Sequence, residues 1–296
     1  MEHKKGKTIM PIMWSTMILF PVLALVFIIL RLHCRRWLKK ATTGYLDDYM
    51  LILSWILMVI TSIIGLMLAK HGVGTAIVEG QEIIVEPEVM HALLFWTSNL
   101  LLFGINAIAF SKVSWFITLI RLVTKRWQKV GLWVLMVFST AALFVASTFG
   151  YYQCHFLPDG SWNTPATSDH RCLDNWVAIK ISLVTSIYST VLEFALAAIP
   201  AYVVWNLPLK RSTKMGIICA TSVGFVSAMM GALRTKAYYD HLFPLGKLPE
   251  MYSLGCVIMF AVLEVCTTII AASIPFLRPL VKKMAKTYDE DELSWP

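Results

Sequence analysis

Residues 176–207 read WVAIKISLVTSIYSTVLEFALAAIPAYVVWNL, long enough to cross a bilayer yet carrying a carboxylate, Glu193, near the middle. As a helix the run places Ser182, Ser186, Ser189, Thr190 and Glu193 on one face, because they recur at spacings of three and four. The other faces are almost wholly apolar. A polar stripe on a spanning helix turns towards neighbouring helices, and an ionisable group inside a membrane is a functional candidate. Pro200 lies seven residues further along the same face, where it removes a rung of the backbone ladder.

The rest of the chain has the same character. Of 296 residues, 57% are hydrophobic and only 15% charged, and the mean hydropathy is +0.67. That composition excludes a soluble domain. Apolar windows of roughly twenty residues fall at about 10 to 32, 50 to 70, 91 to 120, 130 to 150, 176 to 207, 215 to 237 and 251 to 277. The expectation is an all-α, multi-pass integral membrane protein with a seven-helix bundle over residues 10–279, an N-terminal tail over 1–9 and a short tail over 280–296. The first span is too long for a signal-peptide core and has no small-residue cleavage site behind it, so it reads as a retained helix.

Net charge is +8, and its placement makes it a topology signal rather than a nucleic-acid footprint. Basic clusters follow span one (Arg31, Arg35, Arg36, Lys39, Lys40), span three (Arg121, Lys125, Arg126, Lys129), span five (Lys210, Arg211, Lys214) and span seven (Arg278, Lys282, Lys283, Lys286). Glu79, Glu82, Glu86 and Glu88 lie on the opposite side. Short basic loops stay cytoplasmic, which puts the N-terminus outside or lumenal and the C-terminus inside, against the weaker vote of Lys4, Lys5 and Lys7. Contact with anionic membrane lipids fits the same clusters. Cys154 and Cys172 then share one non-cytoplasmic loop where a disulfide can persist, worth roughly 3 kcal/mol on the chain-entropy model.

Other polar residues inside the spans are fewer. Asp47 and Asp48 read as an N-cap on span two, with carboxylates at the positive end of its dipole; adjacent carboxylates are misplaced for a magnesium–diphosphate box. Asn99 and Asn106, seven apart on span three, can bond to neighbouring helices at roughly 0.6 kcal/mol each or to a ligand. Lys112 reads as a snorkelling lysine. Gly224, Ser227, Ala228 and Gly231 form a small-residue face on span six, closed by Arg234, which can pair with Asp240 or with a carboxylate inside the bundle. Span seven brings a second intramembrane acid, Glu264, with Ser253, Thr267 and Thr268 on the same side. No histidine cluster, Walker, Rossmann or nucleophile-elbow motif is present, so neither a metal nor another cofactor is expected. Span seven has no lysine for a retinal Schiff base.

Gly44-Tyr-Leu-Asp47-Asp48-Tyr49, Lys112-x-Ser114 with Arg121, the loop residues Cys154, Pro158, Trp162 and Cys172, Arg234, Glu264 and Ile274-Pro275-Phe-Leu-Arg278-Pro279 occur in this order over about Arg31 to Pro279. In that order and spacing they resemble the fungal rhodopsin-like seven-transmembrane domain family, integral membrane proteins of the satratoxin-cluster type found beside toxin, polyketide and terpenoid biosynthesis genes. The resemblance implies the helix count and no retinal. Two departures stand out. The usual histidine after glycine-x-glycine is missing from His71-Gly-Val-Gly-Thr-Ala, and the usual asparagine and aspartate ahead of the span-five proline correspond to Ser189 and Glu193.

Three roles follow for the buried acids. In the first, the protein is a secondary-metabolism enzyme acting on a lipophilic polyketide or terpenoid intermediate, as a terpenoid or meroterpenoid cyclase or isomerase. A carboxylic acid kept neutral by burial can donate a proton, so Glu193 or Glu264 would open an epoxide or olefin of a prenylated substrate. Asn99, Asn106, Ser189, Arg234 and Trp96 would bind it, and aromatic faces would shelter the cation. In the second, the protein is a receptor or sensor without retinal, with Glu193, Glu264 and Arg234 as a ligand-biased network. In the third, both glutamates only hold helices together. The partners expected are a lipophilic small molecule and membrane lipids, in the endoplasmic reticulum or plasma membrane, with no nucleic acid. The stripe on span five and the small capping loop suit a pocket reached from lipid, which places the enzyme first. The orientation is tested with epitope tags at each end: the C-terminal tag is expected to react with antibody only after permeabilisation, and the N-terminal tag in sealed cells or lumen-out vesicles. The reverse pattern would overturn it.

Overall fold

The computed structural model describes residues 9–37, 45–74, 87–123, 125–151, 175–206, 211–242 and 250–292. They form seven α-helices and, among the described residues, no strand: α1 (Met10–Trp37), α2 (Leu46–Lys70), α3 (Pro87–Leu122), α4 (Arg126–Tyr151), α5 (Asn175–Asn206), α6 (Arg211–Leu242) and α7 (Glu250–Glu292). Each contains an apolar segment of 22 to 27 residues. At about 1.5 Å per residue that exceeds the roughly 30 Å of a bilayer core. Apolar residues point outwards as well as inwards: Leu19, Val22, Val134, Phe138, Val184 and Val191 are all exposed. In water such faces would aggregate; in lipid they are the solvent-facing surface.

Consecutive helices neighbour one another, and α7 closes the ring on α1. α3 and α7 occupy the middle. α3 touches α2, α4, α5 and α7, while α7 touches α1, α2, α3 and α6. In both, 61% of the spanning window is buried, against 33–44% in the other five. The seam between α4 and α5 is the thinnest in the ring.

Two local features fix this arrangement. At one end, the turn after α2 runs through Gly72 and Gly74, both at positive φ (94° and 93°), a conformation that costs glycine little and other residues more. A Cβ on Gly255 of α7 would lie 2.9 Å from the Gly74 Cα, so the turn packs backbone to backbone on α7. The glycine-x-glycine of this motif is therefore turn and packing chemistry.

At the opposite end, which carries the basic residues, Asp47 and Asp48 lie in the first turn of α2 as expected, but neither caps it; Tyr45 is the N-cap and makes no side-chain cap bond. Both carboxylates turn inward instead. Arg31 donates from Nε to Asp48 (2.8 Å) and from Nη2 to Asp47 (2.5 Å). Its Nη1 donates to the Ala272 carbonyl of α7, and its guanidinium lies over the Phe276 ring, 4.1 Å from the centroid. Arg35 pairs with both aspartates, Arg121 of α3 reaches Asp47 at 3.0 Å, and Ser114 donates to the Asp47 backbone carbonyl at 2.9 Å. One junction thus ties α1, α2, α3 and α7 together.

Arg31 is fully buried, as is Asp47, and removing one partner of a buried pair costs roughly 3–5 kcal/mol. Arg31→Met is therefore expected to lower stability in detergent by that order, whereas Arg36→Met, at an exposed position, is expected to change it by less than about 0.5 kcal/mol. Thermal unfolding of the two variants side by side is the measurement; equal midpoints would sink the assignment.

Candidate functional site

The polar stripe of α5 faces α6 as its spacing requires. Ser186 and Thr190 share hydrogen bonds with Thr235 of α6, at 2.8 and 3.0 Å. Thr235 in turn bonds to the Gly231 carbonyl. Gly231 is where the two helices come closest to the acids: a Cβ there would lie 3.2 Å from Thr190 Oγ1, 3.4 Å from Glu193 Oε2 and 3.5 Å from Glu264 Oε2. A small residue on α6 leaves the room that two carboxylates need.

Those carboxylates belong to a buried quartet. Lys112 Nζ lies 3.1 Å from Glu193 Oε1 and 3.9 Å from Glu264 Oε1. Arg234 Nε lies 2.8 Å from Glu264 Oε2, an ion contact too oblique for a hydrogen bond, and its Nη2 donates to Glu264 Oε1 at 3.2 Å. Exposure is 2% for Lys112, 6% for Glu193, 5% for Arg234 and none for Glu264. Two cations face two anions, each from a different helix: α3, α5, α6 and α7.

Hydroxyls and carbonyls complete the shell. Ser189 accepts twice, its backbone oxygen from Lys112 at 2.9 Å and its Oγ from Arg234 at 3.3 Å. Ser227 Oγ lies 3.3 Å from Glu193 Oε2, 3.2 Å from the Glu264 carbonyl and 2.7 Å from Thr268 Oγ1. A charge this far from water is tolerated only when both its opposite charge and its remaining hydrogen bonds are supplied. Glu193 Oε1 still has no hydrogen-bond partner.

Two small cavities flank the quartet. One, towards the basic end, is lined by Lys112, Glu193, Ser227 and Thr268 together with Trp115 and Ala271. The other, towards the far end, is lined by Ser182, Thr185, Ser186, Ser189, Arg234 and Tyr238. Each offers about 10 Å³, room for about one water molecule.

Of the residues singled out from sequence, the structure gathers Glu193, Glu264, Arg234 and Ser189. It leaves the others apart. Asn99 donates to the Phe95 carbonyl within α3 (2.8 Å), and Trp96 packs edge-on against Phe95. Asn99 lies roughly 20 Å along the helix from Lys112. Asn106 bonds to the Leu102 carbonyl and to Ser147 of α4, with its Oδ1 buried and unpartnered. Cys154 and Cys172, with the disulfide expected between them, lie outside the described residues. Lys112 is the correction. It does not snorkel, because its ammonium is held inside by Glu193 and the Ser189 carbonyl. Charge counting was the available signal: two intramembrane acids need two cations, and Arg234 is only one. Arg234 chooses Glu264 over Asp240 for the same reason. Among the described residues, no group of three or more His, Cys, Asp or Glu side chains is placed to hold a metal ion.

No curated protein matches the chain. The fungal rhodopsin domain matches it over residues 30–283, which takes in the last turns of α1, the whole of α2 to α6, most of α7 and every residue of both charged clusters. This seven-helix membrane protein therefore belongs to the fungal rhodopsin domain family.

Proposed function

We propose that the protein is a retinal-free membrane sensor whose switch is the Lys112–Glu193–Arg234–Glu264 quartet. One observation carries this reading: a charge-balanced network, buried inside the membrane, takes one member from each of four helices and has only water-sized space beside it. Such an element has discrete arrangements, since Lys112 can exchange one carboxylate for the other. Lys112 already stands between both. A ligand that favours one arrangement shifts the populations by its differential affinity.

The route out is α3. Lys112 belongs to the quartet, while Ser114 and Arg121 of the same helix hold Asp47 at the basic end. Movement of α3 at one cluster is felt at the other, because a helix transmits displacement along its axis.

The enzyme reading rests on a different observation: Glu193 and the Trp115 ring line one cavity, an acid beside an aromatic face. Against it, binding sites for molecules of drug size occupy about 300–1,000 Å³, and Glu193 is engaged by Lys112 and Ser227. The sensor accounts for all four charges, and the enzyme leaves Lys112 without a role.

Two measurements divide the readings. Lys112→Met alone is expected to lower stability by roughly 3–5 kcal/mol, and Lys112→Met with Glu193→Leu to recover most of it, because removing a whole buried pair costs far less than orphaning one member. In a deletion strain, wild type is expected to restore a changed transcript profile and the folded double variant is not. Accumulation instead of one lipophilic intermediate, consumed by wild-type membranes and not by those carrying Glu193→Gln, would establish the enzyme and overturn the sensor.

A further inference from the structure

The cavity at the far end differs from its counterpart in what surrounds it. Four hydroxyl residues of α5 (Ser182, Thr185, Ser186 and Ser189) line it together with Tyr238 and Arg234 of α6, and its remaining walls are Ile105 of α3 and Leu143 of α4. Leu143 belongs to the α4 side of the α4–α5 seam, where the ring is thinnest. Ser182 is partly exposed, and Val184 and Ile187 of α5 are exposed outright. The cavity therefore lies just inside a seam open to lipid.

We propose that this seam binds a lipophilic carboxylic acid, whose chain lies between α4 and α5 and whose head group enters the cavity to pair with Arg234. The donor set selects the head group. An ammonium would meet a guanidinium, and an alcohol or ester could not compete with Glu264 for Arg234. A carboxylate can take the guanidinium through two parallel hydrogen bonds, with serine and tyrosine hydroxyls supplying further donors. The cavity as it stands has room for about one water, so a carboxylate enters only as the thin α4–α5 seam gives way around it, and the hydrocarbon stays in the seam.

Charge balance sets the chemistry of the exchange. An acid partitions into the bilayer in its neutral form. At the site its O–H bond breaks and an O–H bond forms on Glu264, so the ligand becomes the anion on Arg234 and Glu264 becomes neutral. Two cations still face two anions, the ligand carboxylate and Glu193, and no net charge enters the membrane interior. The existing Arg234–Glu264 contact is oblique, with neither Arg234 Nε nor Glu264 Oε2 hydrogen-bonded. Glu193 Oε2 and Glu264 Oε2 lie 3.4 and 3.5 Å from the same Cβ position on Gly231, so Glu193 is the neighbour that accepts the new O–H. The exchange would also be the event that biases α7 against α6; that consequence, unlike the site itself, rests on the sensor reading.

The test uses the full-length protein in lipid nanodiscs, a palmitic acid analogue with a mid-chain diazirine, and its methyl ester. Photolabelling followed by peptide mapping is expected to place the acid on α4 and α5 around Leu143 and Ser182, at least about tenfold above the ester, a difference of about 1.4 kcal/mol. Infrared difference spectra on adding palmitic acid are expected to gain a protonated side-chain carboxyl band that is missing in Glu264→Gln. Arg234→Gln is expected to lose the labelling. Ser182→Leu, a substitution at the partly exposed edge that leaves the quartet intact, is expected to lose it while keeping the wild-type melting temperature, so loss of fold does not mimic loss of site. Equal labelling by acid and ester, or label spread evenly over the lipid-facing helices, would overturn the site. A carboxyl band that persists in Glu264→Gln would overturn the proton exchange. Positive labelling beside an unchanged transcript profile in the deletion strain would overturn the sensor reading alone.

Discussion

Charge in a medium that cannot solvate it is the constraint on which this bundle depends. Each of the four groups in the quartet would be expensive alone at the centre of a bilayer. Together they are neutral, and neutrality requires that α3, α5, α6 and α7 stand at fixed distances and rotations. Gly231 and Ser227 follow from that requirement: one leaves space for the carboxylates, the other bonds to Glu193, to the Glu264 carbonyl and to Thr268 at once. Apolar packing fills the remainder, yet lipid is as apolar as leucine and gives little preference among helix arrangements. The polar groups supply the specificity that hydrophobicity cannot.

The junction at the basic end works by the same rule with different members. Two aspartates at the head of α2 collect Arg31, Arg35 and Arg121 from α1 and α3, and Arg31 reaches on to α7 through the Ala272 carbonyl and the Phe276 ring. Every helix but α4 contributes to at least one of the two clusters. α3 and α7 touch both, which agrees with their being the most buried. α4 joins neither cluster, and its seam with α5 is where the ring is weakest.

The helices and their count were legible in the sequence because length and hydropathy alone define a span, and the face of α5 was legible because helical periodicity does not depend on neighbours. Glu193 and Glu264 stood out because acids are rare in lipid. Pairing was not legible, since it is a relation between segments far apart in the chain. Lys112 shows the difference: by its distance from the helix end it could snorkel, and only the presence of Glu193 on another helix keeps it inside. Asp47 and Asp48 were placed correctly in a first turn, but the dipole of their own helix is a weaker partner than three arginines. Asn99, Asn106 and Trp96 satisfy the same seven-residue and aromatic patterns as ligand contacts do, and they turn out to bond within α3, to α4 and to a neighbouring ring.

The order of the quartet along the chain has a bearing on biogenesis. The translocon meets Lys112 first, then Glu193, then Arg234, and Glu264 last. A helix leaving for the lipid with its charge unmatched would carry a cost of a few kcal/mol, so α3 has reason to linger beside the insertion machinery until α5 arrives, and α6 until α7. The running charge of the four is balanced once α5 is made, unbalanced by α6, and balanced again only with the seventh helix. A chain stopped short of α7 leaves Arg234 without its acid.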